Sequence, residues 1–186
     1  MPLFRFAEGP RQRVADFDKA VDRAFDHLRG HKSADRLFYT ASELGDHGLI
    51  WLVLGALRGL RSDRDWKAAL RAAAGVGIES AVVNLGVKSL FRRSRPAFDG
   101  SRPRRLRQPR TSSFPSGHAT SAFSAAALLS EDDALWPVYY GVAVVVAASR
   151  VYVRVHHASD VLAGAALGAA LGRIGRRMAP LPRRPP

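Results

Sequence analysis

Five stretches of the chain are depleted in charge: 48–57, 72–87, 119–129, 134–149 and 161–172. Each is short for a bilayer span of ~20 residues. Lengthening them by a turn or two recruits Arg71, Glu79, Lys88, His118 and Asp160. Ionisable groups at membrane depth are costly unless they face a polar interior. The pattern therefore predicts an all-α, multi-spanning membrane helix bundle with its polar side chains turned inward. A mean hydropathy of −0.11 hides this, because basic connections offset the apolar stretches.

Before the first stretch, Val14, Phe17, Val21, Phe25 and Leu28 recur at helical spacing with charges between them. Residues 1–35 thus read as an amphipathic segment, lying on the membrane surface or against the bundle. With it the expected architecture has about six helices, in a single domain spanning 1–178. Arg95-Pro96 is expected to end the second apolar helix, because the residue before proline is pushed out of the helical region. The segment 97–114, with Gly100, Pro103, Pro109 and five arginines, reads as a loop. Residues 179–186, with four prolines and two arginines, read as a disordered tail. Gly164, Gly168 and Gly172 make two overlapping G-x-x-x-G repeats, a seam for another helix of the chain or for a homo-oligomer.

The chain has 29 Lys and Arg against 16 Asp and Glu, a net charge of +13, and no Cys. The missing Cys excludes a disulfide scaffold, a zinc ribbon and a thiol nucleophile. The charge points to nucleic acid, an anionic membrane face or a phosphorylated substrate. Position separates these, because the basic residues gather where helices meet connections.

Three clusters stand out. Lys88 and Arg95 are seven apart, almost two full turns, and would share a helix face. Pro115-Ser116-Gly117-His118 precedes an Ala-rich stretch and describes a helix N-terminus, whose open N–H groups and dipole favour an anion. Arg150 is followed by His156 and Asp160, four apart, a spacing that on one helix would let the carboxylate fix the imidazole tautomer. Guanidinium groups match phosphate oxygens bidentately, and a lysine adds a point charge. A histidine oriented by a carboxylate can attack phosphorus, and a second can protonate the leaving oxygen. The three cations would supply the charge neutralisation that a metal otherwise provides, so no cofactor is expected.

Lys88 with six residues to Arg95-Pro96, then Pro115-Ser-Gly-His118, then Ser149-Arg150 with five residues to His156 and three to Asp160, resembles the type 2 phosphatidic acid phosphatase family in all three signature motifs. That family shares its site with vanadium haloperoxidases. The resemblance implies a membrane phosphatase in which His156 is the nucleophile forming a phosphohistidine, Asp160 orients it and His118 is the general acid. It further implies that Lys88, Arg95, Arg150, Ser116 and Gly117 bind the phosphoryl oxygens. The expected substrate is a phosphate monoester or diphosphate on a membrane lipid: a polyprenyl-linked phosphate, a phosphosugar, phosphatidylglycerophosphate or phosphatidic acid.

Two other readings stand beside it. A vanadate-dependent haloperoxidase would use the same anion pocket, and a basic nucleic-acid-binding protein would need a contiguous basic face. The placement of cations at the ends of apolar helices favours membrane lipids over nucleic acid as partner. Arg61, Arg64, Lys67, Arg173, Arg176 and Arg177 read as lipid-facing charges flanking the helices. Arg102, Arg104, Arg105, Arg107 and Arg110 are either a solvated loop or a grip on a polar head group. Five crossings would put all three motifs and the N-terminal segment on one side, where more Lys and Arg fall, so the positive-inside rule points the site at the cytoplasm.

Overall fold

Local chemistry marks most of the helix starts. Ser62 accepts a hydrogen bond from the Asp65 N–H at 3.1 Å, with Asp63 and Asp65 in the positive first turn. Ser116 caps the next long helix through the Ala119 N–H at 3.4 Å. Pro10 and Pro137 sit in first turns, where a missing N–H costs nothing. The computed structural model describes residues 9–97 and 111–182. Its helices are α1 (Pro10–Asp26), α2 (Lys32–Gly45), α3 (Leu49–Gly59), α4 (Asp63–Ala81), α5 (Gly117–Leu129), α6 (Trp136–Tyr152) and α7 (Ala158–Met178). A 3-10 turn at Asp46–Gly48 joins α2 to α3, and α4 runs on through a π turn (Val82–Gly86) and a 3-10 turn (Val87–Leu90). No strand occurs among the described residues.

Two expectations are corrected. The described residues form seven α-helices, not about six, because α2 carries no charge-depleted stretch; its buried face is Tyr39, Ala41 and Ser42. The helical run after α4 ends at Leu90, and 91–97 is irregular, so Lys88 and Arg95 are not related by a helical repeat and Pro96 is not its terminator.

The bundle is built around α5, whose Ala119, Ala122, Ala125, Ala126 and Leu129 are fully buried. It packs on α4, α6 and, most extensively, α7. That last contact uses the glycine seam. A Cβ at Gly164 would lie 2.5 Å from the Ser116 carbonyl, one at Gly172 2.5 Å from Ala127 Cβ, and one at Gly168 would strike the Thr120 carbonyl. Of the two partners expected for the seam, another helix of the chain or a second copy, α5 of the same chain fills it, with all three glycines buried.

α3 to α7 alternate in direction between two charged ends. One end joins the connection after α3, the connection after α5 and the end of α7. There the buried Arg58 donates to Asp65 at 2.8 Å, and Arg61 holds Asp133 at 2.5 Å. Arg64 meets Asp132 at 2.6 Å, and Arg71 meets Glu131 at 2.6 Å. Arg61 and Arg64, expected to be lipid-facing, are thus ion-paired within the chain. Residues 179–182 of the expected tail join this end, with Arg64 donating to the Pro182 carbonyl at 2.7 Å and Arg71 to that of Ala179 at 3.0 Å. Residues 183–186 and the arginines 102–110 lie outside the described residues.

Between the ends the surface is apolar: Leu52, Leu57, Ile78, Leu85, Val144 and Leu162 are each more than half exposed. The helical run 63–90 is long and apolar enough to cross a membrane, and Leu49–Gly59 is apolar but shorter.

Candidate active site

The other end collects the motif residues. Lys88 is buried, and its Nζ points at the start of α5, where a Cβ on Gly117 would lie 3.3 Å from it. Gly117 therefore lets a main-chain N–H and an ammonium face the same space. Ser116 also ties helices together. It donates its N–H to the Asp160 carbonyl at 3.0 Å, tying α5 to α7, and its hydroxyl oxygen caps α5.

His118, in the first turn of α5, has Nε2 2.8 Å from Asp46 Oδ1. Gly45 makes room for the ring, since a Cβ there would lie 2.9 Å from His118 Cδ2. This carboxylate from the α2–α3 turn sets the tautomer of the second histidine, and nothing in the spacing of the motifs points to it.

His156 and Asp160 do meet, but not as neighbours on one helix face. The Arg150 carbonyl accepts the N–H groups of both Val155 and His156 at 3.1 Å, with Arg154 in the left-handed region (φ 52°), and this turn leaves His156 before α7 begins. Asp160, in the first turn of α7, accepts the His157 N–H at 2.9 Å. Its Oδ2 stands 3.8 Å from His156 Nδ1, too far for a direct hydrogen bond. Ser113 fills the gap: its hydroxyl donates to Asp160 Oδ2 at 2.6 Å and lies 3.4 Å from His156 Nδ1. The remaining oxygen, Oδ1, accepts from Arg93 at 2.6 Å. The same guanidinium reaches Asp18 of α1 at 2.6 Å, and Asp18 also accepts from the Ser159 N–H and hydroxyl at 2.8 Å.

Arg95 lies across the other face of the imidazole, with Nη1 3.2 Å from His156 Nε2 and 2.9 Å from the Val155 carbonyl. Arg150 is buried and donates to Ser42 of α2. It lies within charge–charge range of both His118 and His156 and of Lys88, which places the two imidazoles around one cationic centre. Burial pushes the His156 pKa down to about 4, Asp160 opposing and Arg150 and Arg95 assisting, so the ring is neutral near pH 7.

A cavity of about 810 Å³ opens beside these groups, between α3, α4 and α5. Asp46, Lys88, Gly117 and His118 line it at the site end, and along the helices away from that end follow Asn84, Ser80 and Ser121, then Val76, Ala73, Ala72 and Trp51. Among the described residues no group of three or more His, Asp or Glu side chains converges in a way that would hold a metal ion. The arrangement offers a neutral imidazole, a second carboxylate-held imidazole, three cations and an adjoining apolar slot.

The sequence model of the PAP2 superfamily matches residues 68–183. The decaprenylphosphoryl-5-phosphoribose phosphatase of Mycobacterium tuberculosis is 37% identical over 138 residues, covering 72% of this chain and 73% of that protein. Its namesake from Mycolicibacterium smegmatis is 32% identical over 128 residues, covering 66% and 67%. Among solved structures, a transmembrane PAP2-type phosphatidylglycerolphosphate phosphatase from Bacillus subtilis superposes with a TM-score of 0.68 at 24% identity, over 89% of this chain and 86% of that one. Aquifex aeolicus LpxE gives 0.66 at 23%, over 95% and 99%.

Proposed function

The chain belongs to the PAP2 superfamily and is a lipid phosphatase, and from that premise we propose that it removes the terminal phosphate of a polyprenyl-linked phosphosugar through a phosphohistidine on His156. The observation that carries this reading is the juxtaposition of a cationic cradle with a cavity whose lining turns from polar to apolar along the helices away from it. The phosphate would sit between Lys88, Arg95, Arg150 and the Gly117 N–H, and the prenyl chain beside Val76, Ala73 and Trp51.

His156 Nε2 attacks phosphorus while Nδ1–H is held by Ser113, whose own hydroxyl proton is given to Asp160. The P–O bond to the sugar breaks, and His118 gives its proton to the leaving oxygen. Water then attacks the phosphohistidine, His118 takes the water's proton, and the N–P bond breaks to release phosphate and neutral His156. Lys88, Arg95 and Arg150 neutralise the charge on the equatorial oxygens throughout.

The apolar belt between the two charged ends supports a multi-pass membrane placement, with α3 to α7 as five crossings and α1 at the interface. The surplus of basic residues beside the site supports a cytoplasmic orientation. Membrane lipids and a lipid phosphate are then the partners, rather than nucleic acid, since many arginines at the far end are paired within the chain.

Detergent-purified protein is tested for phosphate release from a polyprenyl phosphosugar, phosphatidylglycerophosphate, phosphatidic acid and a polyprenyl diphosphate, with and without chelator. The phosphosugar is expected to be the best substrate, with activity surviving the chelator and lost in His156→Ala. Wild-type rates in His156→Ala would overturn the mechanism, and a better rate on any of the other lipids would overturn the substrate.

A further inference from the structure

Glu79 of α4 is almost fully buried, at 4% exposure, in the helix that most resembles a membrane span. The Ser121 hydroxyl donates to its Oε2 at 2.7 Å, while its Oε1 has no hydrogen-bond partner among the described residues. A buried carboxylate oxygen left without a donor is costly, and at membrane depth such a group marks a functional site. Ser121 lines the cavity, one helical turn beyond Gly117, and Glu79 stands behind it.

The opposite wall has the same character. Asn84, on the π turn one step before Lys88, donates its amide to the Ser80 carbonyl at 2.8 Å and to the Ser80 hydroxyl at 3.1 Å. A carbonyl can only accept, so this fixes the amide orientation and turns Oδ1 toward the site end, where it would lie 3.7 Å from a Cβ on Gly117. Ser80 and Asn84 also line the cavity. The free capacity of this band is therefore mainly acceptor. The Ser121 proton is committed to Glu79 and the Asn84 protons to Ser80, and of these four residues Ser80 alone keeps a hydroxyl proton to offer.

We propose that Ser121 and Asn84, with Glu79 orienting the Ser121 hydroxyl from behind, form a subsite for a hydroxyl-rich group, a pentose or similar polyol, lying between the scissile phosphate and the lipid chain. A hydroxyl-bearing ring brings O–H donors to these acceptors one to two helical turns below the phosphate. A diacylglycerol segment has ester oxygens and no donor there, and would leave the acceptors unpaired. A site built to bond a substrate hydroxyl rejects the analogue lacking it, because its own polar groups are then left unsatisfied. The subsite rests on the phosphatase reading and refines its substrate.

The test uses the full-length chain in detergent with three lipids: a prenyl-linked phosphopentose, its deoxy analogue lacking the free ring hydroxyls, and phosphatidic acid. Wild type is expected to lose about tenfold or more in kcat/KM on the deoxy analogue. Ser121→Ala and Glu79→Gln are expected to lose a similar factor on the phosphopentose lipid while staying within about twofold of wild type on phosphatidic acid, so that variant and deoxy substrate together cost no more than either alone. Should Glu79→Gln fail to fold, Ser121→Ala carries the test. Equal losses on all three lipids, or no loss on the phosphopentose lipid, would overturn the subsite while leaving the phosphatase assignment intact. A wild-type protein releasing phosphate from none of them would instead overturn the assignment itself.

Discussion

Ser113 donates its hydroxyl proton to Asp160 Oδ2 at 2.6 Å, and this contact, rather than a direct one, links the carboxylate to the His156 imidazole, whose Nδ1 lies 3.4 Å from the same hydroxyl. Ser113→Ala is expected to lower kcat by about 10- to 100-fold, the kinetic equivalent of one charge-assisted hydrogen bond. KM should change little, because the phosphate-binding cations are untouched. An unaltered kcat would show that Asp160 holds the ring without Ser113.

Asp46 plays the corresponding part for His118. In Asp46→Asn the second imidazole loses the negative charge that favours its protonated form, and the amide can present its NH2 in place of an acceptor. A lipid alkoxide, a poor leaving group, should then depart about 100-fold more slowly. Hydrolysis of p-nitrophenyl phosphate, whose leaving group needs no proton, should fall far less. Equal losses on the two substrates would remove His118 from the role of acid.

Arg93 bridges Asp160 and Asp18, so the amphipathic α1 is joined to the catalytic carboxylate through one guanidinium. Arg93→Gln is expected to reduce kcat by about tenfold or more, with Arg93→Lys recovering part of it. Asp18→Asn should do the same more weakly, because Asp160 keeps its own bond to Arg93. Thermal unfolding measured on the same samples separates positioning from stability: a fall in Tm that accounts for the whole loss would contradict it.

Much of this was legible before any coordinates. The five charge-depleted stretches became α3 to α7, and the spacing of Val14, Phe17, Val21, Phe25 and Leu28 became α1. Other features depend on tertiary pairing. α2 was invisible because it buries a half-polar face, and Asp46 follows from where α2 ends. Nothing between Phe91 and Ser94 breaks a helix; the chain leaves it there, and Arg93 and Arg95 reach Asp160 and His156 from the irregular segment that follows. The four-residue spacing of His156 and Asp160 suggested a shared helix face, whereas a left-handed Arg154 and a fresh helix start produced the meeting. The arginines of the far end looked lipid-facing because their partners, Asp132 and Asp133, are distant in sequence.

Asp133 tests that far end. Burial alone would raise its pKa, but hydrogen bonds from Arg61, the Leu135 N–H and Tyr139 outweigh this and hold it at about 2. A carboxyl with a folded pKa below its unfolded value of 3.8 adds stability that is complete above about pH 4 and is lost as pH falls toward 2. Asp133→Asn should therefore lower stability by about 3 kcal/mol at pH 7, since it leaves buried Arg58 and partly exposed Arg61 short of a partner. The gap from wild type should narrow between pH 4 and pH 2 in detergent unfolding experiments, and a gap that stays constant would contradict the assignment.

The most direct measurement is the chemical identity of the phosphorylated enzyme. Brief reaction with labelled lipid phosphate, alkaline quench and peptide mapping should place one acid-labile phosphate on His156, with none in His156→Ala. His118→Asn should still form it from a substrate with a good leaving group and release it slowly. Phosphate found on another side chain, or steady turnover by His156→Ala, would contradict the account.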